Sequence, residues 1–335
     1  MKRAVLAFGL LTALAVAGAV LAENARTQEA AFAAPAVINI NDHVVGFYVG
    51  RGLTAPSPVA SIKGNWVDGG AWDLGAINYA VYKGDRAIVY DTSTLPQLGQ
   101  WERSYLAKTK GIKHFTVVLS HWHLDHIAGN PSYADSDIIS LDTSREYMVE
   151  NKAAIEAGKL WGPPAMKVVL PNVTVKDSLD LYLGGLKVEF RRFNIHSKDG
   201  FVMYIPSDKA LYVGDTLEDT VTYMVEPGDI PTHIAELKRM RWMAFTKIYP
   251  NHGDPDVIKH GGYTKTFVDA VAEYDVNMVK KAHDPGYLTM PIEEFIPKAL
   301  AKHAVSVFEP YRVVHTNNLK LVQDYWKGKK LPAVG

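Results

Sequence analysis

The run Ser120-His121-Trp122-His123-Leu124-Asp125-His126 crowds three imidazoles and a carboxylate into one short stretch. Imidazoles held that close repel one another when protonated, so the cluster needs a reason to converge, and a metal ion supplies one. The His-x-His pair with a third His makes a tetrahedral site whose fourth position is open to water, while Asp125 and His126 point towards a second ion. Further ligands are expected downstream at His196, Asp215 and His252, each of which follows a strand-like run. A loop just after a strand is where a rigid scaffold aims a side chain. The chain has 12 His and no Cys. Thiolate nucleophiles, iron–sulfur clusters and Cys-type zinc sites are therefore excluded, leaving His, Asp and Glu to bind metal.

The elements that position these residues follow from hydrophobic periodicity. Residues 77–82 and 87–90 flank a turn at Gly84 and predict a hairpin ended by Asp91; 201–205 and 210–213 repeat the pattern and end at Gly214-Asp215-Thr216. Their likeness suggests two related halves, each a sheet with its own helices, packed face to face with a ligand site at the shared edge. Helices are expected over 97–110, closed by Gly111, over 144–157, closed by Gly158, and over 234–245; strands are expected over 115–119, 186–190 and 247–249. Beyond Gly262 the pattern is mostly helical, over 263–281, 292–303 and 317–326. Asp91 is expected to brace a loop, Trp122 and Leu124 to pack beneath or beside the ions, and Tyr223, Trp72 and Trp161 to serve ordinary packing. His43, His114, His233, His260, His283, His303 and His315 stand isolated and read as surface or internally satisfied histidines.

The succession of HWHLDH, then Asn194-Ile195-His196-Ser197, Gly214-Asp215-Thr216 and Tyr249-Pro250-Asn251-His252-Gly253, resembles the metallo-β-lactamase superfamily over residues 37–260. The resemblance implies an α/β fold, a four-layer αββα sandwich of two mixed β-sheets, here with a C-terminal helical extension. It implies that His121, His123 and His196 hold one metal, that Asp125, His126 and His252 hold a second, and that Asp215 bridges both. Two Zn2+ are the expected cofactors, although Mn2+ and Fe2+ suit the same ligands. The expected reaction is attack by a metal-bridged hydroxide on a small-molecule ester, lactone or related acyl substrate, with Asp125 and Asp215 as the catalytic residues that orient the hydroxide. A β-lactam hydrolase is the alternative among enzymes, but class B β-lactamases generally lack the bridging acid that stands here as Asp215. A metal-binding protein without turnover is the alternative outside enzymes.

Composition bounds the rest. The chain of 335 residues is 47% hydrophobic and 21% charged, which fits a globular enzyme and excludes wholesale disorder or a multi-spanning membrane protein. Lys plus Arg and Asp plus Glu each total 36, so no net field favours nucleic acid or an anionic membrane, and a small-molecule substrate is the expected partner. Oligomeric state leaves no signature. Lys2-Arg3, the apolar run over 4–22 and the small-residue end Val20-Leu21-Ala22 read as an export signal peptide at 1–22, followed by a flexible leader at 23–36. An uncleaved N-terminal anchor is the competing reading; a cleaved signal leaves no stable membrane insertion. A bacterial periplasmic or secreted protein is expected, and the lack of Cys suits an oxidising compartment. Residues 37–262 form the expected catalytic domain and 263–335 the helical extension.

Overall fold

Runs of β-branched and aromatic residues build two mixed sheets in the computed structural model, which describes residues 34–334. The expected signal peptide, and the leader as far as residue 33, lie outside the described residues. In the seven-stranded sheet β1 (Ala36–Asn41), β2 (Val44–Val49), β3 (Ala76–Lys83), β4 (Arg86–Tyr90), β5 (His114–Val118), β6 (Asp137–Leu141) and β7 (Val173–Val175) lie side by side in chain order. Pairing is antiparallel from β1 to β4 and parallel from β4 to β7. The five-stranded sheet has the order β12 (Lys247–Tyr249), β11 (Ala210–Tyr212), β10 (Ser197–Ile205), β9 (Leu186–Ile195), β8 (Ser178–Leu183), with only β11 and β12 parallel.

The helices are α1 (Pro96–Lys110), the single turn α2 (Leu124–Ile127), α3 (Asp142–Glu156), α4 (Ile230–Arg241), α5 (Pro255–Lys259), α6 (Lys265–Lys280), α7 (Pro297–Ala301) and α8 (Tyr311–Trp326). Pro96 starts α1, where a missing N–H costs nothing, and Gly111 ends it at φ 72°. Helix α3 packs on β6, and α4 packs on β9 and α6, so helices flank both sheets. This is the expected αββα sandwich. Among the described residues no helix is long and apolar enough to cross a membrane.

Strand β2, Val-Val-Gly-Phe-Tyr-Val, is buried along its whole length, as a strand covered on both faces must be. Between the sheets the core is rich in tyrosine: the Tyr79 ring lies 4.9 Å from Tyr212, which stacks on Tyr249 at 5.0 Å. Buried phenols need acceptors, and three of them find backbone carbonyls on the opposite half. Tyr79 Oη donates to Pro250 O at 2.8 Å, Tyr48 Oη to Gly253 O at 2.9 Å and Tyr90 Oη to Phe201 O at 2.8 Å. The first two bonds straddle His252, so core packing also fixes a loop that carries a site residue.

Both expected hairpins form, as β3–β4 and β10–β11. Three helical expectations need correction, one being the helix expected over 317–326, which starts six residues earlier as α8 (Tyr311–Trp326). Helix α4 starts at Ile230, four residues before the expected 234, because Pro231 sits at its favoured first-turn position. The expected helix over 292–303 is instead a 3-10 turn, Ile292–Glu294, followed by α7. Pro297 disfavours the α region for Ile296, which takes φ −133°, and so separates the two pieces.

Candidate metal centre

The seven expected ligands converge. His121, His123, His196 and Asp215 form one group, and Asp125, His126, His252 and Asp215 form a second; within each, the ligand atoms lie within 4.8 Å of one another. Asp215 belongs to both groups. Its Oδ2 lies 3.0 Å from His126 Nε2, 3.5 Å from His121 Nε2, 3.5 Å from His252 Nε2 and 3.9 Å from His196 Nε2. Asp125 Oδ2 lies 3.0 Å from His252 Nε2, and His123 Nδ1 lies 3.1 Å from His196 Nε2. Six of the seven residues are buried, and Asp125, with 11% of its side chain exposed, is the least enclosed.

The scaffold delivers these side chains from loops at strand ends. After β5, Ser120 N donates to Asp91 Oδ1 at 2.6 Å and Trp122 N to Asp199 Oδ2 at 3.0 Å, so two buried carboxylates grip the HWHLDH turn. His196 occupies the turn between β9 and β10 at φ 65°. Asp215 follows Gly214, whose φ is 55° and whose absent Cβ would lie 2.7 Å from Ser120 Cβ. Only glycine lets the two halves touch here. After β12, Ile77 N donates to Asn251 O at 2.8 Å.

Four of the five histidines have Nδ1 committed outside the cluster: His121 to Ser120 Oγ at 2.9 Å, His126 to Asp91 Oδ2 at 2.9 Å, His196 to Tyr223 O at 2.9 Å and His252 to Gly75 O at 2.7 Å. Carbonyl and carboxylate oxygens only accept, so they keep an N–H on Nδ1 of His126, His196 and His252 and turn Nε2 inward. His121 Nε2, His123 Nε2 and Asp215 Oδ1 are buried without any hydrogen-bond partner. Buried polar atoms left unpaired are costly, and a cation held by His121 Nε2 and the Asp215 carboxylate, 3.5 Å apart, removes that cost there. The donor set thus fits divalent metal.

Electrostatics agrees. Burial, then the imidazoles of His126 and His123, holds His121 well below the usual histidine range; burial also brings His123 down to about 3 and lowers His196. These three are neutral lone-pair donors. Burial opposes charge on His126 and His252 too, but the Asp215 and Asp125 carboxylates outweigh it and hold both well above the usual range. Asp215 and Asp125 stay ionised because the facing histidines overcome the penalty of burial. The second group thus draws positive charge into a buried space, which a divalent cation satisfies.

The surrounding residues divide. Leu124 is buried, and Trp122 packs between Tyr147 and Trp161 beside His123, as expected. Asp91 does brace a loop, and it also holds a ligand through His126, with Asn251 Nδ2 donating to the same Oδ2 at 2.7 Å. Trp72 is buried in ordinary packing, Nε1 donating to Ala55 O at 3.1 Å. Trp161 is half exposed, at φ 57°, with its ring edge-on to His123 at 5.1 Å, so it borders the centre. None of the seven isolated histidines joins either ligand group. Sequence reasoning did not single out Asp199 or the carbonyls of Gly75 and Tyr223; Asp199 lies three residues beyond His196, whereas the carbonyls carry no residue-type signal. It also passed over Glu218, buried 3.5 Å from His196 Nδ1, whose carboxyl is pushed up to about 8 by burial and then by the Asp215 charge.

Comparison with known proteins gives a consistent result. A Caenorhabditis elegans protein described as "Beta-lactamase-like protein 2 homolog" is 24% identical, over 74% of this chain and 77% of its own. The "Linear primary-alkylsulfatase" of Pseudomonas sp. (strain ATCC 19151) is 22% identical over 62% of this chain, and the match spans 48% of that relative. Among solved structures, the metallo-beta-lactamase FIM-1 from Pseudomonas aeruginosa superposes with a TM-score of 0.54 at 15% identity, covering 75% of this chain and 97% of that one. A metallo-beta-lactamase from Pontibacter korlensis superposes at 0.50 with 16% identity, over 70% of this chain and 99% of that one. These likenesses are in fold. Residues 72–275 match the sequence family itself, and with two ligand groups meeting at one aspartate between two mixed sheets, the chain belongs to the metallo-beta-lactamase superfamily.

Proposed function

We propose that the protein is an exported hydrolase that holds two divalent cations, Zn2+ in the first instance, and cleaves a small-molecule ester, lactone or related acyl compound. The observation that carries this reading is the sharing of Asp215 between two buried four-residue ligand groups. His121, His123, His196 and Asp215 would hold one ion, and Asp125, His126, His252 and Asp215 the other. Bound there, the pair would supply Lewis acidity and make water acidic enough to react near neutral pH. The chain's own residues do the rest. The outer acceptors on His126, His196 and His252 keep the inward lone pairs aimed. Burial of six ligands excludes bulk water, and Asp125, the least enclosed of the seven, is placed to orient the reacting water. Asp125 Oδ2 is engaged by His252, so Oδ1 is the atom free for that task.

The relative named as an alkylsulfatase adds sulfate esters to the substrates worth testing. The intact Asp215 favours ester-type substrates over β-lactams. Metal analysis of the purified protein, combined with a panel of lactones, thioesters, sulfate and phosphate esters and β-lactams, tests the reading. Two metal equivalents and turnover of at least one ester class are expected. Metal uptake with no turnover of any of them would favour a binding protein instead.

A further inference from the structure

Residues 215–226 contain no helix or strand, yet 215–222 are buried throughout. An irregular buried segment must find partners for its backbone and polar groups, and here they come from two different sides. Three backbone groups of the segment bond the loops of the metal centre. Asp219 N donates to His252 O at 3.1 Å, Tyr223 O accepts from His196 Nδ1 at 2.9 Å, and Val225 N donates to His196 O at 3.3 Å. A second set of bonds runs to the C-terminal helical region. Glu218 Oε2 accepts from Tyr311 Oη at 3.1 Å, and Thr220 Oγ1 donates to Ser306 O at 2.6 Å while accepting from Phe308 N at 2.9 Å. Asn318 closes the series, its Nδ2 donating to Thr222 O and its Oδ1 accepting from Met224 N, each at 2.9 Å. The segment is a strap tied to residues 306–318 by one set of bonds and to two of the clustered histidines, His196 and His252, by another.

We propose that Tyr311 and Asn318 are positioning residues of the metal centre, acting through the 218–224 strap on His196. The proposal rests on the two-metal reading above. Its physical basis lies in Glu218, whose Oε1 accepts from Tyr223 N at 3.0 Å and sits 3.5 Å from His196 Nδ1. Tyr311 Oη keeps the other oxygen occupied. Without that hydroxyl, Glu218 loses one of its two donors and its side chain is free to turn, and His196 Nδ1, 3.5 Å from Oε1, is a donor within its reach. The imidazole then leaves Tyr223 O, and its Nε2 turns away from His123 and His121. The first ligand group is weakened, while the second, held by Asp91 and Gly75, is affected less.

The test uses the full-length protein and compares wild type, Tyr311→Phe and Glu273→Gln. Glu273 braces the start of α7 through Lys298 N and Ala299 N, so its variant loosens the same C-terminal region without touching the strap. Three readouts are taken: zinc affinity by chelator competition, the visible spectrum of the cobalt-substituted protein, and the rise in Tm on adding zinc. Tyr311→Phe is expected to weaken one of the two zinc sites by about tenfold, shift the cobalt spectrum and shrink the zinc-induced rise in Tm. Glu273→Gln is expected to lower Tm with and without zinc by equal amounts. If Tyr311→Phe does not fold, Asn318→Ser carries the same expectation. Zinc affinity within twofold of wild type with an unchanged cobalt spectrum, or an equal loss of affinity in Glu273→Gln, would overturn the proposal. A wild-type protein that takes up neither zinc nor cobalt would instead sink the two-metal reading on which it rests.

Discussion

At the scale of residues, the centre is defined as much by what stands behind the ligands as by the ligands. Asp91 shows this. Its Oδ1 fixes Ser120 N, at the start of the HWHLDH turn, and its Oδ2 fixes the tautomer of His126. Asp91→Asn keeps the shape but offers an N–H where His126 already donates, so the His126 ring must turn. Zinc affinity of the second group is expected to fall about 10- to 100-fold, with the first group retained, in a chelator titration that resolves the two sites. Equal loss at both would assign Asp91 a general role in folding. Glu102 tests burial away from the centre. It lies in α1 with both carboxyl oxygens facing Asn78 Nδ2, and burial pushes it up to about 8 from the ordinary 4.5, against hydrogen bonds from Ser93 and Asn78. The folded state holds this proton more tightly than the unfolded chain does. Its contribution to stability is therefore complete below 4.5 and is lost as pH rises through about 8. Glu102→Gln, neutral at every pH, should flatten the fall in Tm between about pH 5 and pH 9. Parallel Tm profiles in the two proteins would contradict this account.

At the scale of elements, what was legible in the sequence is what is encoded locally. The β3–β4 and β10–β11 hairpins carry their turns within the chain, and α1 carries a Pro start and a Gly stop. Strands β1, β2, β6, β7 and β8 were not foreseen, because short strands are stabilised by neighbours distant in sequence as much as by their own pattern. The same division holds for the site. The seven residues that converge were legible because side-chain type marks them, whereas the carbonyls of Gly75 and Tyr223 that orient two of them are backbone atoms placed only by the finished fold. The Gly214 turn is the element on which the meeting of the halves depends most. A methyl group there meets Ser120 Cβ at 2.7 Å and must also adopt φ 55°. Gly214→Ala is expected to cost about 1–3 kcal/mol in denaturant unfolding and to reduce metal uptake, because Asp215 moves with it. Unchanged stability would show that the loop relaxes freely.

At the scale of the whole molecule, the ligands come from both sheets, and neither half holds a complete pair of groups. His121, His123, Asp125 and His126 follow β5 in one sheet, whereas His196, Asp215 and His252 follow β9, β11 and β12 in the other. Metal bound between them stabilises the assembled sandwich by mass action, so chelator is expected to lower Tm and added zinc to restore it. Protons compete with cations for the same imidazoles, so activity should decline below about pH 6 as metal is released, and excess zinc should move that decline to lower pH. The most direct test is anomalous diffraction at the zinc edge from crystals of the zinc-loaded protein. Two peaks about 3.5–4 Å apart, one on either side of the Asp215 carboxylate, are predicted; a zinc-loaded crystal with no peak beside Asp215 would contradict the account.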